Sequence, residues 1–116
     1  MRVVQVAHLA GSGGGEDPSA DSALAYLANA MHEHAPGTRN LWFDVTAVAN
    51  DVKPPAWGDY IVRRMREIGM DRILFGSDAT AGGNLSPKDA WAAFCRLPLT
   101  TRELALVAEN VAPYLR

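Results

Sequence analysis

Two side chains able to hold a cation or move a proton stand where apolar runs give out. His8 lies in AHLAGSGGG, at the junction of a β-branched run and a Gly-rich stretch. Asp78 closes ILFGSDAT, directly after Gly76 and Ser77. A neutral imidazole can bind a divalent metal, and it exchanges a proton readily near neutral pH. A carboxylate at a strand end is rigidly aimed and can serve as metal ligand or general base. Each has a structural alternative. A strand-end aspartate commonly caps a turn, and a lone histidine in a strand is commonly a core or surface residue.

Asp44 and Thr46 come late in LWFDVTAV, a third apolar run. Asp44 could support His8 or Asp78 from behind, or simply accept structural hydrogen bonds; the sequence leaves both open. GSGGGEDP, 11–18, suggests a phosphate cradle. It matches neither the P-loop pattern nor a Gly-x-G-x-x-G run leading straight into a helix. His32 and His34 in MHEHAP mimic a His-x-His metal pair. Residues two apart on a helix do not share a face, so a solvated helix end is expected there.

The elements that must position these groups follow from periodicity. Three strands are expected, at about 2–9, 40–47 and 71–77. Between them, Leu24, Leu27, Ala28 and Met31 recur at helical spacing from Asp21, with Ser19 or Asp21 as the cap and Pro36-Gly37 as the stop. A second helix is expected from about Asp59, with Ile61, Met65 and Ile68 on one face and Gly69 at its end. Pro54 and Pro55 are expected to bar helix before it. SPKD announces a third helix, with Ser86 as N-cap and Pro87 in the first position. Trp91, Phe94, Cys95 and Leu97 should face inward from it. TTRE announces a fourth, with Thr100 and Glu103 as a capping box. Leu104, Val107 and Val111 should continue it until Pro113.

Strand and helix alternate at a spacing that fits βαβ units, so the strands should be parallel. The three candidate positions, His8, Asp44/Thr46 and Asp78, all fall at or near carboxyl ends of strands. Sites in α/β barrels and open α/β sheets gather at that edge. Three coincidences on one edge weigh more than any one residue.

VVQVAHLAGSGGGEDP, LWFDVTAV, RILFGSDAT and LPLTTRELALVAENVAPYL together resemble the C-terminal part of the amidohydrolase-related branch of the amidohydrolase superfamily. That branch includes aminocarboxymuconate-semialdehyde decarboxylase and other metal-dependent hydrolases. The resemblance runs in order over nearly the whole chain. It implies a partial (β/α)8 TIM barrel: the last three βα units plus a C-terminal helix, forming one domain over 1–116. It implies that His8 is the histidine after strand six, an acid/base or metal ligand. It implies that Asp78 is the aspartate after strand eight, a metal ligand that can also take a proton from water. The implied cofactor is a divalent metal, zinc first and manganese second. The implied reaction is hydrolysis or decarboxylation of a small carboxylate or amide-like substrate. The family's His-x-His pair from strand one and histidine from strand five have no counterpart in these residues. The isolated chain is therefore expected to bind metal weakly or not at all. A homo-oligomer, or a chain supplying the missing strands, would be its partner. The alternative is a non-catalytic barrel fragment that self-associates through its bare strand edges.

Composition sets the outer bounds. The 116 residues are 48% hydrophobic and 21% charged, with net charge −2, the balance of an ordinary globular domain. No basic run suggests nucleic acid or an anionic membrane. A single cysteine, Cys95, forbids an intrachain disulfide and accords with a cytoplasmic location. MRVVQVAHLA reads poorly as a signal peptide, and no stretch has the roughly 20 apolar residues of a membrane helix.

Overall fold

The computed structural model describes residues 2–11, 21–46, 48–50, 55–79 and 84–115. Strand β1 (Val4–Val6) leads through a tight turn, Ala7–Ala10, toward helix α1 (Asp21–His32). Strand β2 (Leu41–Asp44) is followed by α2 (Pro55–Ile68), and β3 (Ile73–Leu74) by α3 (Pro87–Cys95) and α4 (Thr101–Glu109). The strands form one parallel sheet in the order β1-β2-β3. The mixed α/β class and the parallel pairing agree with the alternation in the sequence.

The pairing register sorts the side chains by face. Val6, Phe43 and Ile73 lie abreast on one face, and Gln5 and Trp42, with Asp44 and Leu74, occupy the other. The first face is the core. Phe43 and Ile73 pack there with Leu24, Ala28 and Met31 of α1 and Ile61, Met65 and Ile68 of α2. Both helices therefore cover the same face, unlike a doubly wound sheet, whose helices lie on both faces. The second face carries polar groups and faces a cavity of about 320 Å³ beneath the C-terminal segment, lined in part by Gln5, Asp44, Leu74 and Tyr114.

Helix ends follow local chemistry. Ser86 Oγ accepts the Asp89 N–H, and Thr100 and Glu103 exchange the two bonds of a capping box. Gly69, at φ 106°, closes α2 where a side chain would be strained. Long-range bonds then fix the strands. Arg72 donates from Nη1 to the carbonyls of Arg39 and Leu41, and its guanidinium lies 5.1 Å from the centre of the Trp42 ring. Asn110, at the end of α4, donates from Nδ2 to the carbonyls of Met70 and Ile73, both at 2.8 Å. It thereby meets backbone acceptors of β3 and the turn before it.

Several sequence expectations need correction. The strands are shorter than 2–9, 40–47 and 71–77. β1 ends because His8, Leu9 and Ala10 all take positive φ, which no strand tolerates. β3 begins only after the turn Met70–Arg72. Helix α2 starts at Pro55, not near Asp59, because proline in a first helical position lacks only a donor that would be unused there. Cys95 is exposed, since it ends α3 rather than lying on its inner face. Val111 is also exposed: α4 stops at Glu109, and extended backbone at Asn110 turns the chain away. Among the described residues no helix is long and apolar enough to cross a membrane.

α2 and α4 are joined by an ion pair. Arg66 Nε and Nη2 donate to the two carboxylate oxygens of Glu103 at 2.8 and 2.9 Å. Hydrogen bonding from Arg66, reinforced by the Thr100 amide, lowers the Glu103 pKa from 4.5 to about 2. A carboxyl depressed on folding stabilises the native state above its unfolded pKa and loses that contribution as pH falls through the folded one. The pair should thus be fully effective above pH 4.5 and fade toward pH 2. Thermal unfolding of wild type and Glu103→Gln should differ by a few degrees at neutral pH and converge in acid. A gap that stays constant over this range would contradict the assignment.

Candidate functional site

Parallel pairing places the carboxyl ends of all three strands at one edge. His8 lies two residues beyond β1, Thr46 two beyond β2, and Asp78 four beyond β3. All three therefore follow carboxyl ends of strands on the same side of the sheet. His8 and Asp78 belong to the two outer strands, with β2 between.

His8 is held on both sides. Its amide donates to Asp44 Oδ1 at 2.8 Å, and its ring Nδ1 lies 2.7 Å from the Thr46 carbonyl. Its φ is 52°, and Leu9 and Ala10 follow at 48° and 68°. Left-handed backbone costs an L-residue roughly 1–2 kcal/mol. The contacts that offset it are the Asp44 bond, the bond from Gly11 N–H to the His8 carbonyl, and burial of Leu9 in the core. Such clusters of strain occur preferentially at functional sites.

Asp44 is the buried polar residue among the described residues, 7% exposed. Its Oδ1 accepts the amides of His8 and Thr46, and its Oδ2 accepts Gln5 Nε2 at 2.8 Å. All three contacts come from donors, so the carboxylate acts purely as an acceptor. The Tyr114 hydroxyl extends the chain by donating to Gln5 Oε1 at 2.7 Å. Asp44 thus touches His8 and does not bond to Asp78.

Asp78 is exposed and also has positive φ, 51°. Asn84 Nδ2 donates to its carbonyl and to Oδ2, both at 3.1 Å. The bond to the carbonyl fixes the turn, and the bond to Oδ2 orients the carboxylate. Gly76, two residues earlier, lies close against Thr46: a Cβ there would fall 2.6 Å from Thr46 Oγ1, so a side chain would force Thr46 to shift.

His32 and His34 are both exposed at the end of α1, as a solvated helix terminus requires. Most of the Gly-rich stretch 11–18, and Ser19, lie outside the described residues. Among the described residues no group of three or more His, Cys, Asp or Glu side chains is placed to hold a metal ion. His8 and Asp78 are therefore at most part of a ligand set. They do fit such a part. A carbonyl on Nδ1 is the usual support of a metal-binding histidine, which then offers Nε2. Nitrogen and carboxylate oxygen are also ordinary zinc donors.

Gln5, Asn84 and Tyr114 are members of these networks that the sequence did not single out. Gln5 had a visible sign: it breaks the apolar run VVQV with a polar group on alternate spacing. Asn84 and Tyr114 had none, because their partners are set by folding. Comparison with protein-family models, curated proteins and solved structures found no match.

Proposed function

We propose that this chain supplies one rim of a metal-dependent hydrolase or decarboxylase centre, with Asp78 as a metal ligand and His8 as acid/base or second ligand. The observation that supports it best is the placement of His8 and Asp78 after the carboxyl ends of the two outer strands of a parallel sheet, with α1 and α2 together on one face. Consecutive βα units of an α/β barrel would present their site at such a carboxyl edge. Two strand spacings, roughly 10 Å, separate β1 from β3. A bound divalent metal would supply Lewis acidity toward a small carboxylate or amide-like substrate. The chain's own residues would orient it: Thr46 through the His8 ring, and Asn84 through the Asp78 carboxylate. The remaining ligands would come from strands outside these 116 residues.

Calorimetric titration with zinc tests this reading. Wild type should bind weakly, and His8→Ala and Asp78→Ala should each lower affinity by roughly tenfold or more. Affinity unchanged in both variants would overturn it, and no binding by wild type would favour the second reading below.

A second reading has its own support. Val4 is 51% exposed on the outer strand β1, and Tyr114 and Leu115 are exposed nearby in the chain's closing turn. A non-catalytic barrel fragment would cover that edge with a second copy. Light scattering that gives a dimer, together with no zinc binding, would favour it over the first.

A further inference from the structure

We propose that Asp44 is a positioning residue for His8: it holds the imidazole in the Nδ1–H tautomer, so that Nε2 is the nitrogen with the lone pair. The Thr46 carbonyl decides where the ring proton sits. A carbonyl only accepts, so the 2.7 Å contact requires the proton on Nδ1. In the neutral ring the other nitrogen, Nε2, then carries the lone pair, ready for a cation or a proton. An unconstrained neutral imidazole side chain favours the opposite form, Nε2–H, so the protein must impose this one.

Asp44 imposes it by holding both partners. One oxygen, Oδ1, accepts the amide of His8 and the amide of Thr46. The His8 backbone is thereby kept in its left-handed turn, and Thr46 is kept where its carbonyl meets the ring. Gln5, itself held by the Tyr114 hydroxyl, secures the other oxygen, so the carboxylate cannot rotate without breaking a further bond. Burial of Asp44 makes each of these bonds costly to lose. What the tautomer is for rests on the proposed metal centre. Its existence does not, because it can be read without metal.

The test is nitrogen-15 NMR of the His8 ring in metal-free protein under mildly alkaline conditions, where the two tautomers give opposite shift patterns at Nδ1 and Nε2. Wild type should show Nδ1–H as the dominant form. Asp44→Asn keeps an acceptor oxygen and should preserve it. Asp44→Ala should let the ring revert mainly to Nε2–H, with the dispersion of the other amide signals retained. A wild-type ring dominated by Nε2–H would overturn the proposal. So would a folded Asp44→Ala protein with an unchanged ring, or a folded Asp44→Asn protein that has lost Nδ1–H. Should Asp44→Ala fail to fold, wild type and Asp44→Asn still decide the matter. A correct tautomer with no zinc binding would leave the positioning role intact while removing the metal centre.

Discussion

Phe43→Ala should lower the unfolding free energy by about 3–5 kcal/mol. Phe43 is fully buried, at 0% exposure, on the central strand. Its register sets it between Val6 of β1 and Ile73 of β3, on the face that α1 and α2 cover. Removing the ring leaves a cavity where three strands and two helices meet. Neither neighbour strand can close it without losing its own pairing. Urea unfolding, followed by circular dichroism, measures the loss as a lower midpoint at unchanged slope. Phe43→Leu keeps most of the volume and should cost distinctly less. A loss for Phe43→Ala within about 0.5 kcal/mol, the range of ordinary surface changes, would mean that this face is not the core.

Asn110→Ala should cost about 1–3 kcal/mol for the acceptors it strands. One side-chain amide serves the carbonyls of Met70 and Ile73 at once. It ties the end of α4 to the start of the outermost strand, where the sheet has no further partner among the described residues. Asn110→Asp should be at least as costly, since it turns a carboxylate oxygen toward two carbonyls. Chemical denaturation of the two variants measures this. A neutral Asn110→Ala would show that the tie is incidental.

The same residue shows what a sequence can and cannot convey. LPLTTRELALVAENVAPYL is legible as a closing helical element, but nothing in it marks Asn110. Why an amide is needed there depends on carbonyls some forty residues away, which no local pattern encodes. Local rules worked where the chemistry is local. Ser86 and Thr100 cap the helices that their sequences announce, and Leu24, Ala28 and Met31 are buried on one face of α1. Those rules failed where tertiary contacts intervene. The left-handed turn at His8–Ala10 cuts β1 short, and it persists because Asp44, on another strand, holds it. Pro55 reads as a barrier to helix but is a helix start, because both roles follow from the same missing N–H. Gly76 lies where a Cβ would meet Thr46, a contact that no local pattern announces. The common edge of His8 and Asp78 was legible because parallel pairing alone decides it. The network behind His8 was not, since Asp44 read equally well as support or as scaffold.

The account stands on His8 and Asp78 acting at one place. Paramagnetic manganese added in small, substoichiometric amounts to nitrogen-15-labelled protein tests this most directly, because it broadens only signals near the bound ion. The account predicts that the His8 and Asp78 resonances broaden together, ahead of those of His32 and His34. Broadening centred on the α1 terminus, or at Asp78 with His8 untouched, would contradict it.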